Sequence, residues 1–328
     1  MKKMYSEQSN GSRLAKYFQK KYGEIVYSGT LAIETALFSA GIRKGENVIL
    51  PDGVCYRIFL SVVRLQAKPI IVSPKNGIIL TTDDIEPFLT KHKARAIILV
   101  HNMGIPVNIK SFRQVLPKNT VIIEDASQAW GLKYSGFPIG KHSDYVVTSF
   151  GKNKPLGLGL GGALFSNDNS FEKFLDFNTK ASRVNPNAFL PYVLPETFEI
   201  DIKKLVAKGD INFNNSVRIA NAFIKELNFQ GIRIWNTEKD DVPGWYRFPI
   251  FIDSYEVYNQ VLTAADKHHI VYEIPHKLKL SKIPMVSKYF DHIVDKDNKK
   301  NYRIDLFTSI NNVKDIKSWA KELRSILR

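Results

Sequence analysis

The stretch Val121-Ile122-Ile123-Glu124-Asp125-Ala126-Ser127-Gln128-Ala129 decides the fold. Its apolar opening predicts a short strand buried on both faces, with Asp125 at the strand's carboxyl end. In open α/β sheets that end is the edge where ligands bind. A second short strand is predicted at Tyr145-Val146-Val147-Thr148. It leads into Ser149-Phe150 and Lys154, then into the flexible Gly157-Leu158-Gly159-Leu160-Gly161-Gly162. If both strands belong to one sheet, the acid of Asp125 and the amine of Lys154 face a common crevice.

Outward from this stretch, helical and strand patterns alternate. Helices are expected from Gly29-Thr30 to about Ala40, Tyr56 to Gln66, Asp83 to Lys91 and Ile109 to Leu116. Strands are expected at Asn47 to Leu50, Pro69 to Val72, Ala94 to His101 and Val121 to Glu124. Continuously apolar short strands between helices indicate a mostly parallel sheet covered on both faces. Beyond Phe171 a helix leads out of this unit, and Arg183 to Glu199 is proline-punctuated and irregular. A helix at Asn215 to Leu227, a strand at Tyr246 to Ile252, a helix at Val257 to His268 and a strand at Ile270 to Glu273 follow. Val313, Ile316, Trp319, Leu323 and Leu327 form one stripe of a final amphipathic helix. The expected fold class is therefore α/β: a large three-layer domain with a mostly parallel mixed sheet (residues 1–210, of which 183–210 are an irregular connection) and a smaller α+β C-terminal domain (residues 211–328).

At 328 residues and 44% hydrophobic content, the chain can bury a core of that size. The N-terminus lacks the apolar core of a signal peptide and no apolar run approaches a membrane span, so a cytoplasmic location without a membrane partner is expected. The single cysteine, Cys55, excludes an intramolecular disulfide and a cysteine cluster for a metal, and is expected to be a small buried residue. The net charge of +15 would draw in anionic small molecules and would equally favour nucleic acid. The basic residues are scattered, however, and no nucleic-acid-binding motif is present, which makes nucleic acid an unlikely partner and reads much of the excess as solvated surface.

Four blocks carry a family resemblance: Ser28-Gly29-Thr30 opening a helix, Gly45-Glu46-Asn47-Val48-Ile49-Leu50-Pro51, Glu124 to Gln128, and Ser149-Phe150 with Lys154 four residues after the phenylalanine. Each is weak alone; in this order the chain resembles the DegT/StrS-like family of pyridoxal-phosphate sugar aminotransferases, of the aspartate-aminotransferase-type fold. The resemblance runs from about Arg13 to about Asp168. It implies pyridoxal 5'-phosphate as cofactor, an amino-acid donor (glutamate), a nucleotide-linked keto sugar as acceptor in polysaccharide or glycan biosynthesis, and a homodimer.

The resemblance also assigns roles. Lys154, chosen over Lys152 by the family spacing, would hold the cofactor covalently and move protons. Asp125 would keep the cofactor ring nitrogen protonated by charge pairing; in isolation it is an ordinary strand-end acid. Ser127 would lie against one ring face and Gln128 would bond the ring hydroxyl. Gly29 and Thr30, at a helix N-terminus, and Ser149 would bind the phosphate, although Ser28-Gly29-Thr30 alone is also a plain helix cap. The family commonly stacks an aromatic residue on the ring where this chain has Cys55, leaving Tyr56 next door as the candidate. Leu160 replaces a glutamate often seen in the glycine-rich stretch, and His101 could lie near the site or be structural. Asn185, Asn187 and Asn212 are the possible substitutes for family residues that reach a partner's active site. A non-catalytic descendant acting as a binding or regulatory module is the rival reading, as is another pyridoxal-dependent reaction.

Overall fold

The computed structural model describes residues 9–171, 199–274, 280, 302–308 and 310–327. Its larger sheet holds β1 (Tyr22–Val26), β2 (Asn47–Pro51), β3 (Lys68–Val72), β4 (Ala96–Val100), β5 (Val121–Asp125), β8 (Tyr145–Ser149) and β9 (Gly162–Ser166), in the order β1-β9-β8-β5-β4-β2-β3. A small hairpin, β6 (Lys133–Tyr134) and β7 (Phe137–Pro138), lies between β5 and β8 in sequence. Strands β2, β3, β4, β5 and β8 pair in parallel, while β9 runs antiparallel to both its neighbours, so the sheet is mixed and mostly parallel. Helices α1 (Asn10–Ala15), α2 (Gly29–Ser39), α3 (Tyr56–Arg64), α4 (Thr82–His92) and α5 (Ile109–Val115) belong to this unit.

Side chains that alternate along a strand point to opposite faces, and here both faces are buried. Ile49, Ile97, Leu99 and Ile122 enter one core. Val48, Leu50, Ile98 and Ile123 enter another, together with Leu31, Leu37, Phe59 and Val62 of α2 and α3. This two-sided burial is why the strands read as unbroken apolar runs. The register pairs Val100 with Asp125 and Asp125 with Val147, which sets the acid at the carboxyl edge with Ser149 two residues further along the neighbouring strand.

The C-terminal unit is built on β10 (Arg233–Ile234), β11 (Arg247–Ile252), β12 (Tyr272–Glu273) and β13 (Tyr302–Phe307), an antiparallel sheet of order β10-β11-β13-β12. Helices α6 (Ile202–Leu227), α7 (Tyr255–Lys267) and α8 (Ile310–Ile326) accompany it. Ile316, Trp319 and Leu323 of α8 are buried and share one core with Phe223, Phe248, Val261 and Ile304, and that core is continuous with one face of the large sheet.

Three features differ from the sequence expectation. The helix expected to begin at Asn215 starts at Ile202, capped by the Asp201 side chain, and runs straight through residue 210. Its first turns bury Ile202, Leu205 and Gly209 but expose lysines, so the apolar stripe there is too sparse to register. The glycine-rich run, read as flexible, feeds directly into the buried strand β9. Strand β13 went unrecognised because its polar residues Arg303 and Asp305 interrupt the apolar ones. The helix expected beyond Phe171, the irregular Arg183 to Glu199 stretch up to residue 198, Asn185, Asn187 and the side chain of Val313 lie outside the described residues. Among the described residues, no helix is long and apolar enough to cross a membrane.

Candidate active site

A cavity of about 470 Å³ opens at the carboxyl edge of the large sheet and is bordered by Gly29, Thr30, Asp125, Gln128, Ser149 and Lys154. Ser127, Cys55 and Leu160 also border it. Helix α2 begins at this wall. Ser28 caps it, the side-chain oxygen accepting from the Leu31 amide at 3.2 Å. The first amides of a helix have no intrahelical acceptor, so the turn at Gly29-Thr30 presents N–H groups and the positive end of the helix dipole to the cavity. Approach here is close: a Cβ added to Gly29 would lie 2.9 Å from the Ser149 Cβ.

Asp125 is buried, and its Oδ1 accepts from the Ser127 amide at 2.8 Å, which fixes the carboxylate at the strand end. Gln128 accepts from the Met103 amide through Oε1 at 2.7 Å, leaving its NH₂ as the group available to a ligand. Lys154 lies on a tight loop in which its own amide donates to Gly151 O at 2.9 Å and its carbonyl accepts from Gly157 at 2.8 Å. Helix α6 braces that loop from outside: Asn212 donates to Pro155 O at 2.8 Å and Lys208 donates to Gly157 O.

Tyr56 is not part of the wall. It is the first residue of α3, 48% exposed, with the Arg57 guanidinium 5.6 Å from its ring centre. Cys55, the N-cap of that helix, is exposed rather than buried and borders the cavity in its place. The chain turns into α3 at Cys55, so the next side chain rotates outward. Arg57, one position further, does border the cavity and was not singled out in the sequence.

His101 lies on the opposite side of β5 from the cavity. Its Nδ1 accepts from the Val107 amide at 3.0 Å, so Nε2 carries the proton and donates to Glu124 Oε1 at 2.8 Å. Both side chains are fully buried. Ser143 Oγ donates to Glu124 Oε2 at 2.6 Å, and the Gly140 amide donates to Oε1 at 3.1 Å. Burial by itself pushes the Glu124 carboxyl up, but the hydrogen bonds from His101 and Ser143 and the charge of Lys20 together hold it below its ordinary value. Burial likewise lowers Lys20, against the pull of Glu124. The pair is structural support beneath the strand that carries Asp125.

A second cavity of about 330 Å³ adjoins the first, sharing Gln128 and Lys154 and extending to Asn212, Ser216, Tyr246 and Arg247. The sequence held no signal for these last two beyond the start of a strand. One space can thus hold a planar anionic group against a lysine and a carboxylate, with room beside it for a second molecule.

A family model, the DegT/DnrJ/EryC1/StrS aminotransferase family, matches residues 7–185. Over 187 residues the chain is 30% identical to GDP-perosamine synthase of Escherichia coli O157:H7, a match covering 54% of this chain and 51% of that protein. It is 31% identical over 163 residues to dTDP-3-amino-3,4,6-trideoxy-alpha-D-glucose transaminase of Streptomyces venezuelae, covering 48% and 42%. The matches span about half the length of these curated relatives. Among solved structures, that of ntda from Bacillus subtilis with bound cofactor pmp superposes with a TM-score of 0.76 at 20% identity, covering 98% of this chain and 78% of that one. This last likeness is one of fold.

Proposed function

The chain belongs to the DegT/DnrJ/EryC1/StrS aminotransferase family, and from that premise we propose that it is a pyridoxal-phosphate-dependent aminotransferase that moves an amino group from glutamate to a nucleotide-linked keto sugar. The observation that carries this reading is the meeting of Lys154, Asp125 and the N-terminus of α2 around one cavity. The names of the relatives, built on GDP- and dTDP-linked sugars, support the acceptor class. A homodimer and a role in polysaccharide or glycan biosynthesis in the cytoplasm belong to the same proposal.

The residues present fit the cofactor. Gly29, packed closely against Ser149, would bind its phosphate together with Thr30 and Ser149 on the same wall. Asp125 would hold a proton on the ring nitrogen, and the Gln128 NH₂ would donate to the ring hydroxyl. When bound, pyridoxal phosphate supplies an electron sink for the carbon next to the transferred nitrogen. Lys154 would hold the cofactor covalently at rest and, once released, carry the proton to and from the substrate carbon. Burial of Asp125 and the bracing of the lysine loop by α6 keep acid and amine in fixed relation.

Transfer of ¹⁵N from labelled glutamate into a panel of nucleotide-linked keto sugars, read by mass spectrometry, tests the proposal. Label in at least one sugar is expected. Cofactor binding with no label in any sugar would favour another pyridoxal-dependent reaction, and no cofactor binding would favour the non-catalytic rival.

A further inference from the structure

Arg247 is held in a way that ordinary surface arginines are not. Its guanidinium carbon lies 4.3 Å from the centre of the Tyr246 ring and 3.6 Å from that of Phe307, and Nη1 donates to the Tyr246 carbonyl at 3.0 Å. The side chain is 14% exposed, and its buried Nε makes no hydrogen bond; the nearest carboxylate, Glu273, stands 3.7 Å away. Stacking of this kind fixes the plane of the guanidinium while leaving its edge to a ligand. The segment bearing it is held from both units, the Gly244 amide donating to Gly104 O of the large sheet's unit at 2.7 Å and Thr308, just after β13, donating to Trp245 O at 2.8 Å.

The same Tyr246 ring has the Lys154 amine 5.3 Å from its centre. Lysine and arginine therefore border one cavity with a single aromatic ring between them. A ligand whose amine reaches Lys154 would bring an anionic group to Arg247 if it carries one on a short stem. We propose that Arg247 binds the side-chain carboxylate of the amino donor and so selects for acidic amino acids. A planar fork matches a carboxylate edge-on. The neighbouring Glu273 carboxylate, 3.7 Å away, offsets part of the arginine charge and repels a multiply charged phosphate more than a single carboxylate. The inference rests on the aminotransferase reading and deepens it.

The test is calorimetric titration of the full chain, after incubation with pyridoxal phosphate, using glutarate, its uncharged diamide and inorganic pyrophosphate as probes. Glutarate should bind and the diamide should not. Arg247→Gln should weaken glutarate about tenfold or more, as expected for loss of a charge-assisted bond, and Arg247→Lys should recover part of it. Glu273→Gln, which removes the competing carboxylate, should tighten glutarate. Unchanged glutarate binding in Arg247→Gln would overturn the proposal. So would an Arg247-dependent affinity confined to pyrophosphate, or glutarate binding that Glu273→Gln weakens. The visible absorbance of cofactor held by Lys154, recorded on the same samples, separates the two levels. Its absence from the wild type sinks the aminotransferase reading, whereas its presence alongside Arg247-independent glutarate binding sinks only this inference.

Discussion

In the proposed reaction two side chains carry the chemistry, Asp125 and Lys154, and each owes its position to something different. Asp125 was legible only because the neighbouring blocks set it apart from the ordinary strand-end acid it would otherwise be. Lys154 was legible only through its spacing from Ser149 and Phe150, since nothing in its immediate neighbours distinguishes it from Lys152. Lys154→Ala should lower the rate of amino transfer by roughly 10²- to 10⁴-fold, the span of general acid–base contributions, while Lys152→Ala should stay close to wild type; equal losses in stopped-flow assays would refute the assignment. Tyr56 could not be placed from sequence, because one residue of rotation at a helix start decides whether a side chain faces the cavity, and that angle has no local signature. Arg247 and Arg57 escaped notice for a related reason: an arginine at an element's first residues looks the same whether it faces water or a ligand.

Strands β4, β5 and β8 were readable because burial on both faces leaves no polar interruption. What supports them was not. The Glu124–His101 pair joins a residue of β5 to one just past the end of β4, and only the folded register shows that they meet. Glu124→Gln should lower stability at neutral pH by roughly 1–3 kcal/mol, the cost of disturbing a buried hydrogen-bonded group, in urea unfolding; no change would show that the network is dispensable. The junction of β9 with α2 is equally tight: a Cβ on Gly162 would lie 2.5 Å from the Gly29 amide and 2.7 Å from Thr148 O. Gly162→Ala should cost about 1–3 kcal/mol as an overpacked contact, and should weaken pyridoxal phosphate binding because the N-terminus of α2 is pushed from Ser149. Tight cofactor binding by that variant in an equilibrium titration would contradict the proposed phosphate site. The glycine-rich run shows why composition misleads here, since its glycines answer to backbone crowding as well as to flexibility.

Across the whole molecule, alternation of helices and strands revealed the two architectures, but the division between them was hidden. Helix α6 crosses the expected boundary at residue 210, and a continuous core joins one face of the large sheet to the small one. The two sheets also oppose each other in pH. Glu124, with its carboxyl lowered in the fold, contributes stability that is full above the unfolded carboxyl range and is lost as pH falls through the folded value. Asp305 on β13, raised to about 6 chiefly by burial against the pull of Arg303, does the reverse, costing stability as pH rises from its unfolded value to about 6. Asp305→Asn should therefore gain relative to wild type between pH 4 and pH 7, by an amount on the order of 3 kcal/mol at most; parallel stability curves for the two proteins would exclude that role.

The central claim is that one lysine and one carboxylate at the edge of the large sheet hold and tune a pyridoxal cofactor. Its most direct test is the visible absorption spectrum of the purified chain with pyridoxal phosphate, taken before and after glutamate is added. The wild-type chain should show a visible band that glutamate bleaches as the cofactor accepts the amino group, with the band absent from Lys154→Ala and present in Lys152→Ala. A wild-type spectrum no different from that of free cofactor, or a band that survives in Lys154→Ala, would contradict the claim.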